Sequence, residues 1–482
     1  RRGASIRRNL ADANTVTART LPKLRAGAHD LVRNNPHARR GIEAIVSNVV
    51  GAGIAPQFLR DKRRAEDIET LAKRHLGSTD CDVEGRHTYL GLEAAAMQAV
   101  AESGEVLVRR RRRRMRDGLP VPVQFQLLEA DYLDATKDGP TREGGVIVQG
   151  VEYDAIGRRR AYWLYREHPG STRFRAESRP VPARDIAHVY RMDRPGQVRG
   201  IPWLAPVMLQ LADWADFADA QLVRQKIAAC FVAFVHEPFD HQDPRGVTEN
   251  DDGQLIDQFE PGMVERLPPG AQVEFGDPPT VSDYEPYARI TLQSVAAGLG
   301  VSYEALTGDL RGVNFSSGKM GRLEFDRNSD RWREHMFIPQ FCDPLTRWFL
   351  EAAELVGART ADVDVRHIAP ARAMIDPPRE FRAERDAIRS GQKTHFQAIR
   401  ERGRDPVEHF EEYSEALETL DRLGIVVDSD ARRRTTSGLA TADAGSAGGD
   451  GGEAGVEAMS DRLQGLIEDL EDLLALSNGR HR

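Results

Sequence analysis

Residues 103–114 read Ser-Gly-Glu-Val-Leu-Val followed by six arginines, and the pattern of the chain changes at this stretch. An Ala-rich segment just before it, near residues 90–101, has the composition of a helix. Gly104 ends that helix, and the apolar residues after it predict a strand. Further short β-rich segments are separated by Gly, Pro and Asp, so an antiparallel sheet is expected. The predicted strands are Glu105–Arg110, Val121–Leu128, Gly145–Val151, Ala161–Tyr165 and Asp185–Tyr190.

The segments before this block predict helices. Residues 26–50 form a helix pair that is broken at Asn34-Asn35-Pro36, and a further helix is expected near 61–76. Residues 1–25 are rich in Arg, Asn, Thr and Ala with little periodicity, which predicts an extended arm. The chain begins with Arg1 rather than Met, so we expect this arm to be truncated. The predicted helices precede the block in sequence and the predicted strands lie within it. This order of elements indicates an α+β fold.

Two more helices are predicted after the block, at 201–235 and 281–300, on either side of a segment rich in Pro, Gly and acids. Three acidic residues lie three positions apart on the polar side of the first helix: Asp213, Asp216 and Asp219. Such a row is most often a solvated helix face.

The C-terminal part begins with a connection at 301–318 that is rich in Gly, Ser and Asn. A long amphipathic helix follows, bent where Pro339 and Pro344 remove backbone donors. A short strand (Val363–Ile368) and further helices complete this part. The segment 429–482 is Gly-rich and acidic and ends in an amphipathic helix, which predicts a flexible tail.

Composition limits the function. The 482 residues include 67 basic and 75 acidic side chains, a net charge of −8, whereas domains that read nucleic acid are usually basic. Three widely spaced cysteines exclude a disulfide scaffold and a Cys-rich zinc module. No apolar run approaches the ~18 residues of a membrane span, so no membrane association is expected.

Motifs for catalysis are weak. Gly312–Met320 resembles a phosphate-binding loop, but five residues separate Gly312 from Gly318, and Met320 stands where Ser or Thr should follow Lys319. Asp131 and Asp134 could join a two-metal nuclease site, although acids at sheet ends are common without one. The sequence therefore predicts no catalytic residue, no cofactor and no metal, and indicates that the chain is not an enzyme.

The arginine run contains a candidate basic patch, Arg109, Arg111 and Arg113, since alternate residues of a strand share one face. One interpretation is a contact with phosphate or with an acidic partner. The other is a solvated strand end whose charges protect a sheet edge from unwanted pairing. Both remain open.

Seven ordered stretches between about 20 and 425 resemble the portal proteins of lambda-type tailed bacteriophages, the head–tail connectors. They are Asp30-Leu-Val-Arg-Asn-Asn-Pro-His-Ala-Arg-Arg40 running into Val49-Val-Gly-Ala-Gly-Ile54, Ser103-Gly-Glu-Val-Leu-Val108, Leu127-Leu-Glu-Ala-Asp-Tyr-Leu133, Arg194-Pro-Gly-Gln-Val-Arg-Gly200, Pro261-Gly-Met-Val-Glu-Arg-Leu-Pro-Pro-Gly270, Ala296-Ala-Gly-Leu-Gly-Val-Ser-Tyr-Glu-Ala-Leu-Thr-Gly308 and Val313-Asn-Phe-Ser-Ser-Gly-Lys-Met-Gly321. The long arginine run and the tail after 430 are not part of the resemblance.

The resemblance implies a portal-type subunit that assembles into a ring. Its expected parts are an arm (1–25), an α/β wing (26–200 and 319–375, the latter including the long bent helix), paired stem helices (201–235 and 281–300), a small α/β clip (236–280), a tunnel loop (301–318), a helical crown (376–428) and the tail (429–482). The tunnel-loop residues implied to meet DNA are Thr307, Gly308, Gly312, Asn314, Ser316, Ser317 and Lys319.

The implied function is structural: a ring, usually of twelve subunits, at one capsid vertex of the virion, assembled in the host cytoplasm. Double-stranded DNA would pass through it non-specifically during packaging and ejection. Implied partners are the packaging terminase, the major capsid or scaffolding protein and the head–tail adaptor. The alternatives are a phage DNA-processing enzyme (a metal-dependent nuclease or a packaging ATPase) and another structural virion protein.

Overall fold

A computed structural model describes residues 10–60, 63–229, 233–236, 272–275 and 284–427, together with Asp430 and Arg432. Most of the expected clip (236–280) and nearly all of the tail (429–482) lie outside the described residues, as do residues 1–9 of the arm. The chain divides into two compact units, Arg1–Glu408 and His409–Arg482.

Helices account for more of the described residues than strands do. They are α1 (Ala13–Ala18), α2 (Leu21–Asn34), α3 (Pro36–Val49), α4 (Glu66–His75), α5 (Tyr89–Ser103), α6 (Met208–Ala229), α7 (Tyr284–Leu299), α8 (Tyr303–Thr307), α9 (Phe315–Trp332), α10 (Asp343–Ala353), α11 (Pro377–Arg389), α12 (His395–Glu401) and α13 (Pro406–Arg422). A π-helical segment, Arg333–Cys342, joins α9 to α10.

The strands of the described residues form four antiparallel sheets. They are β1 (Ala55–Arg60), β2 (Arg63–Arg64), β3 (Glu105–Arg112), β4 (Val123–Glu129), β5 (Gly139–Pro140), β6 (Val146–Val148), β7 (Val151–Tyr153), β8 (Arg159–Tyr165), β9 (Ser178–Pro182), β10 (Ile186–Tyr190), β11 (Ala233–His236), β12 (Gln272–Phe275) and β13 (Val363–Ile368). The strand orders are β13-β1-β2, β10-β3-β4, β11-β12 and β5-β6-β7-β8-β9. This arrangement confirms the α+β class.

The main core lies where α3, α5, the π segment and α10 pack on the first two sheets, and Phe58, Phe125, Phe341 and Phe349 are fully buried there. A smaller core, which includes Leu107 and Tyr162, joins the β10-β3-β4 sheet to the five-stranded sheet. Strand β3 contributes to both cores because its alternate side chains point to opposite faces.

The expectation of an extended arm is wrong for residues 13–18 and 21–25, which are helical. Asp12 caps α1 by accepting from the amide of Thr15 at 3.1 Å. The Asn14 side chain donates to the carbonyl of Gly196 and accepts from the amide of Val198, both at 2.9 Å. These contacts lie more than 180 residues away in sequence, so local pattern could not reveal them.

Two strand predictions also need correction. The single strand expected at Gly145–Val151 is divided into β6 and β7, because Gln149 and Gly150 adopt positive φ and turn the chain. Strand β9 was missed because it contains Pro180 and Pro182, and it occupies the sheet edge, where proline is tolerated.

The long helix is interrupted where the sequence predicts. Pro339 lies within the π segment, and Pro344 lies in the first turn of α10. The absent N–H of Pro344 costs little there, since the first amides of a helix have no partner within the helix.

Candidate functional site

The expected tunnel loop is shorter and more ordered than its composition indicates. Ser302 caps α8 by accepting from the amide of Ala305 at 3.2 Å, and α8 ends at Gly308, whose φ is +72°. The connection between α8 and α9 therefore covers only residues 308–314. This corrects the expectation of an irregular segment from 301 to 318.

Three of the predicted loop residues lie in the first turns of α9: Ser316, Ser317 and Lys319. Asn314 caps this helix by accepting from the amide of Ser317 at 2.8 Å, and the amide of Asn314 donates back to the Ser317 hydroxyl at 3.2 Å. Two polar groups expected to contact DNA are thus engaged with each other in a capping box.

An ion-pair cluster that the sequence analysis missed fixes the centre of the loop. The Arg311 guanidinium donates to both oxygens of Asp309, at 2.9 and 3.0 Å, and also lies 3.3 Å from Glu285 on α7. The hydrogen bond from Arg311 lowers the pKa of Asp309 to about 2. Asp309 and Arg311 line a groove of about 360 Å³ together with residues of α7 and α8. The loop is therefore tied to α7 by charge.

Thr307 and Gly312, the remaining predicted loop residues, have local backbone roles. The Thr307 hydroxyl donates to the carbonyl of Tyr303 at 2.8 Å and accepts from the amide of Asp309 at 3.1 Å. Gly312 has a φ of +75°, a conformation that favours glycine.

Lys319 is exposed and is one of the residues that line a groove of about 820 Å³ between α9 and residues 369–402. Ion pairs bridge the groove floor: Arg372 contacts both Asp326 and Asp330 of α9. The helix that carries Lys319 is thus held to the segment leading into α11.

The predicted stem helices α6 and α7 pack against each other as an antiparallel pair. Gln210 bonds Ser294 at 3.0 Å, and one to two turns further along α6 Trp214 and Phe217 pack against Tyr284 and Tyr287. Of the three predicted acids, Asp216 and Asp219 are exposed and Asp213 is half-buried.

Arg109 and Arg111 of the predicted basic patch lie on β3, and Arg113 follows the last residue of that strand. Strand β3 pairs with β4 as far as Arg112 but with β10 only as far as Arg109. Arg109, Arg111 and Arg113 are half-buried. Strand β3 is therefore a central strand of its sheet over its first half. The interpretation that the arginines protect a sheet edge from unwanted pairing applies at most to the last residues of β3.

The residues considered for a metal are occupied by other contacts. Asp134 accepts hydrogen bonds from Thr136, Tyr165 and Ser178. Asp131 pairs with Arg25 at 3.5 Å and lies near Glu129 and His168, which contact each other at 3.1 Å. These contacts are typical of structural polar groups.

A buried ionic cluster is the strongest polar feature of the described chain, and the sequence analysis missed it. Glu105 of β3 accepts from Arg25 of α2, from Arg199 at 2.8 Å, from His188 at 2.8 Å and from the amide of Gly200 at 2.7 Å. The side chains of Glu105, Arg25, Arg199 and His188 are at most 5% exposed. Glu105, Arg199 and Gly200 come from two stretches that carry the family resemblance, 103–108 and 194–200, whereas Arg25 and His188 lie outside them.

No helix among the described residues is long and apolar enough to cross a membrane. The two buried cysteines, Cys81 and Cys342, have pKa values raised by burial, to about 12 for Cys81, so neither is a ready nucleophile.

Comparison with known proteins gives consistent results. The family model for phage portal proteins of the lambda family matches residues 1–333. A probable portal protein of Halomonas phage phiHAP-1 is 27% identical over 87% of this chain and 84% of its own. Portal protein B of Escherichia phage lambda is 22% identical over 87% of this chain and 88% of its own.

Solved structures with some likeness include a chain from the neck of an empty gene transfer agent particle, at 14% identity and a TM-score of 0.47, covering 76% of this chain and 90% of that one. Another is an HK97-family phage portal protein from Corynebacterium diphtheriae, at 12% identity and a TM-score of 0.33, covering 74% and 97%. The family match, which extends over more than half of the 482 residues, settles the assignment: the chain belongs to the lambda family of phage portal proteins, and its function is that of a structural portal protein.

Proposed function

We propose that the chain assembles into a ring, expected to contain twelve copies, at one vertex of the capsid. The ring is the channel through which double-stranded DNA is packaged and ejected, and it docks the packaging terminase, the capsid or scaffolding protein and the head–tail adaptor. In this proposal 236–280 is the clip that meets the motor, and the chain hydrolyses neither ATP nor DNA. Assembly occurs in the host cytoplasm.

The observation that carries the proposal is apolar surface on the α6–α7 pair. Leu222 and Val223 of α6 are 50% and 54% exposed, and Ile290 of α7 is 67% exposed. Neighbouring exposed apolar groups on a helix surface are typical of a protein interface. Head-to-tail contacts between identical copies would cover them and close into a ring.

Charge supports a conduit in preference to a tight DNA-binding site. Asp216 and Asp219 are exposed on α6. Acidic and neutral side chains do not neutralise phosphates, so a surface that carries them has a lower sequence-independent affinity for DNA. A nucleotide site at Gly312–Met320 is disfavoured because the amide of Ser317 already donates to Asn314.

Leu222→Glu is expected to shift the protein from rings to smaller species in sedimentation and negative-stain images, because a carboxylate would be buried between copies. Gln225→Glu is the matched control, since it adds the same charge at an exposed position of the same helix. Wild-type chain that sediments as a monomer and shows Mg²⁺-dependent nuclease or ATPase activity would contradict the proposal.

Lys319→Glu is expected to leave ring assembly unchanged and to lower the fraction of filled heads that retain full-length DNA. Every copy in the ring would replace one cation with an anion at the end of the tunnel loop, which repels the duplex. Arg327→Glu, two turns further along α9 and also exposed, is the control. Equal DNA retention by Lys319→Glu and wild-type heads over a range of salt concentrations would show that Lys319 does not grip DNA.

A further inference from the structure

The arginines of β3 divide between two faces of the sheet. Arg110 and Arg112 share the face of Val106 and Val108, and each has a carboxylate partner: Arg110 contacts Glu351 of α10, and Arg112 lies 3.1 Å from Asp185. Charge on this face is therefore balanced within the chain.

The other face carries Arg109, Arg111 and Arg113, the basic patch. Arg113 donates to the side-chain oxygen of Gln124 at 2.7 Å. Among the described residues, none of the three arginines has a carboxylate within ion-pair distance, although Asp185 acts on Arg109 from further away. Within the part of the chain that the structure describes, these three cations thus have no direct counterion.

The patch is electrostatically unfavourable as it stands. All three side chains are half-buried, so they have lost part of their hydration without gaining an opposite charge. Burial and, after it, the neighbouring Arg111 lower the pKa of Arg109, which is the direction that repulsion between like charges produces. An anionic group placed along the row would relieve both effects.

We propose that Arg109, Arg111 and Arg113 bind an extended acidic segment of a partner protein. Alternate residues of a strand are about 6.6–6.8 Å apart, and alternate side chains of an extended peptide have the same spacing. A peptide with a carboxylate at every second position can therefore match the row one to one, with the bidentate geometry that arginine favours.

Duplex DNA fits this row less well. The arginines form a short straight row of half-buried groups at the sheet surface, whereas the phosphate backbone of a duplex follows a helical path. Strong duplex binding requires many phosphate contacts, made by cationic side chains that project from the protein surface. A slim extended chain reaches all three guanidinium groups at once.

The test measures the binding of a fluorescein-labelled ten-residue peptide of alternating Glu and Ser to the full chain. Binding is monitored by fluorescence anisotropy at low salt. Arg111→Gln is expected to weaken binding by about tenfold, the loss of one charge-assisted hydrogen-bonded contact. Arg112→Gln, which removes the same charge from the opposite face of the same strand, is expected to change binding by less than about twofold. If Arg111→Gln alters the circular dichroism spectrum, Arg113→Gln replaces it.

Equal weakening by Arg111→Gln and Arg112→Gln would overturn the proposal, because binding would then depend on net charge alone. If a DNA duplex binds more tightly than the peptide and Arg111→Gln weakens that binding as well, the ligand of the patch is nucleic acid and not an acidic segment. Loss of rings in Arg111→Gln without any change in peptide affinity would assign the patch to contacts between copies instead.

Discussion

Glu105→Gln is expected to lower the free energy of unfolding by about 3–5 kcal/mol, the usual effect of removing one partner from a buried ionic group. Burial alone would raise the pKa of Glu105, but Arg199 and Arg25 outweigh it and hold that pKa well below its ordinary value. The carboxylate is therefore ionised at neutral pH. Its removal leaves the guanidinium group of Arg199 buried without a carboxylate partner and that of Arg25 with only the 3.5 Å contact to Asp131.

Urea-induced unfolding followed by circular dichroism measures this effect. Glu43→Gln is the control, because it removes a carboxylate from an exposed pair with Arg39 on α3 and is expected to change stability by less than about 1 kcal/mol. If the two variants unfold at the same urea concentration, the buried cluster does not contribute to stability in the way its geometry indicates.

The Glu105 cluster also shows what the sequence could not reveal. The stretches around Glu105 and Arg199 were recognised separately, but their contact joins residues 94 positions apart. Gly104 and Gly200 lie against each other, and a Cβ on Gly200 would lie 2.1 Å from the carbonyl oxygen of Gly104. The glycines next to the charged residues therefore permit close approach of two backbones, a requirement that a single sequence does not display.

Elements with a strong local signal were predicted well, and elements that depend on distant partners were not. Strand β13 was predicted at its observed limits, Val363–Ile368. Its partner β1 was missed, since Pro56 and Gln57 weaken its pattern and the pairing spans about 300 residues of sequence.

In the expected tunnel loop the sequence analysis assigned the wrong local structure to residues 301–318. Asn314 followed three residues later by Ser317 is a possible capping signal that could have placed the start of α9. The sequence shows Asp309 and Arg311 as two charged residues of a loop, and it does not reveal that they pair with each other. The resulting ordered turn supports a fixed position for Lys319 at the start of α9.

A second buried acid has the opposite electrostatic character. Glu93 of α5 lies in the main core, where it accepts from the amide of Ile54 at 2.7 Å and from the thiol of Cys342 at 3.5 Å. No cation lies within ion-pair distance among the described residues, and burial raises the pKa of Glu93 to about 8. The folded chain therefore holds a proton there that the unfolded chain releases at lower pH.

Wild-type protein is expected to lose stability from this group as pH rises from about 4.5 to about 8, by roughly 3–5 kcal/mol in total. The sign follows from linkage: between these values the folded state binds more protons than the unfolded state, so raising the pH favours unfolding. Above the folded pKa both states are ionised and this contribution stays at its lower level.

Glu93→Gln is expected to remove this slope, because a neutral amide can accept from Ile54 at every pH. Urea unfolding of both proteins across this pH range measures the difference. Burial lowers the pKa of His75 to about 4, so His75 makes stability rise with pH below about 6.5. That contribution is common to both proteins and cancels when they are compared. Parallel pH profiles for wild type and Glu93→Gln would mean that Glu93 is ionised in the folded chain, with water or a local rearrangement solvating its charge.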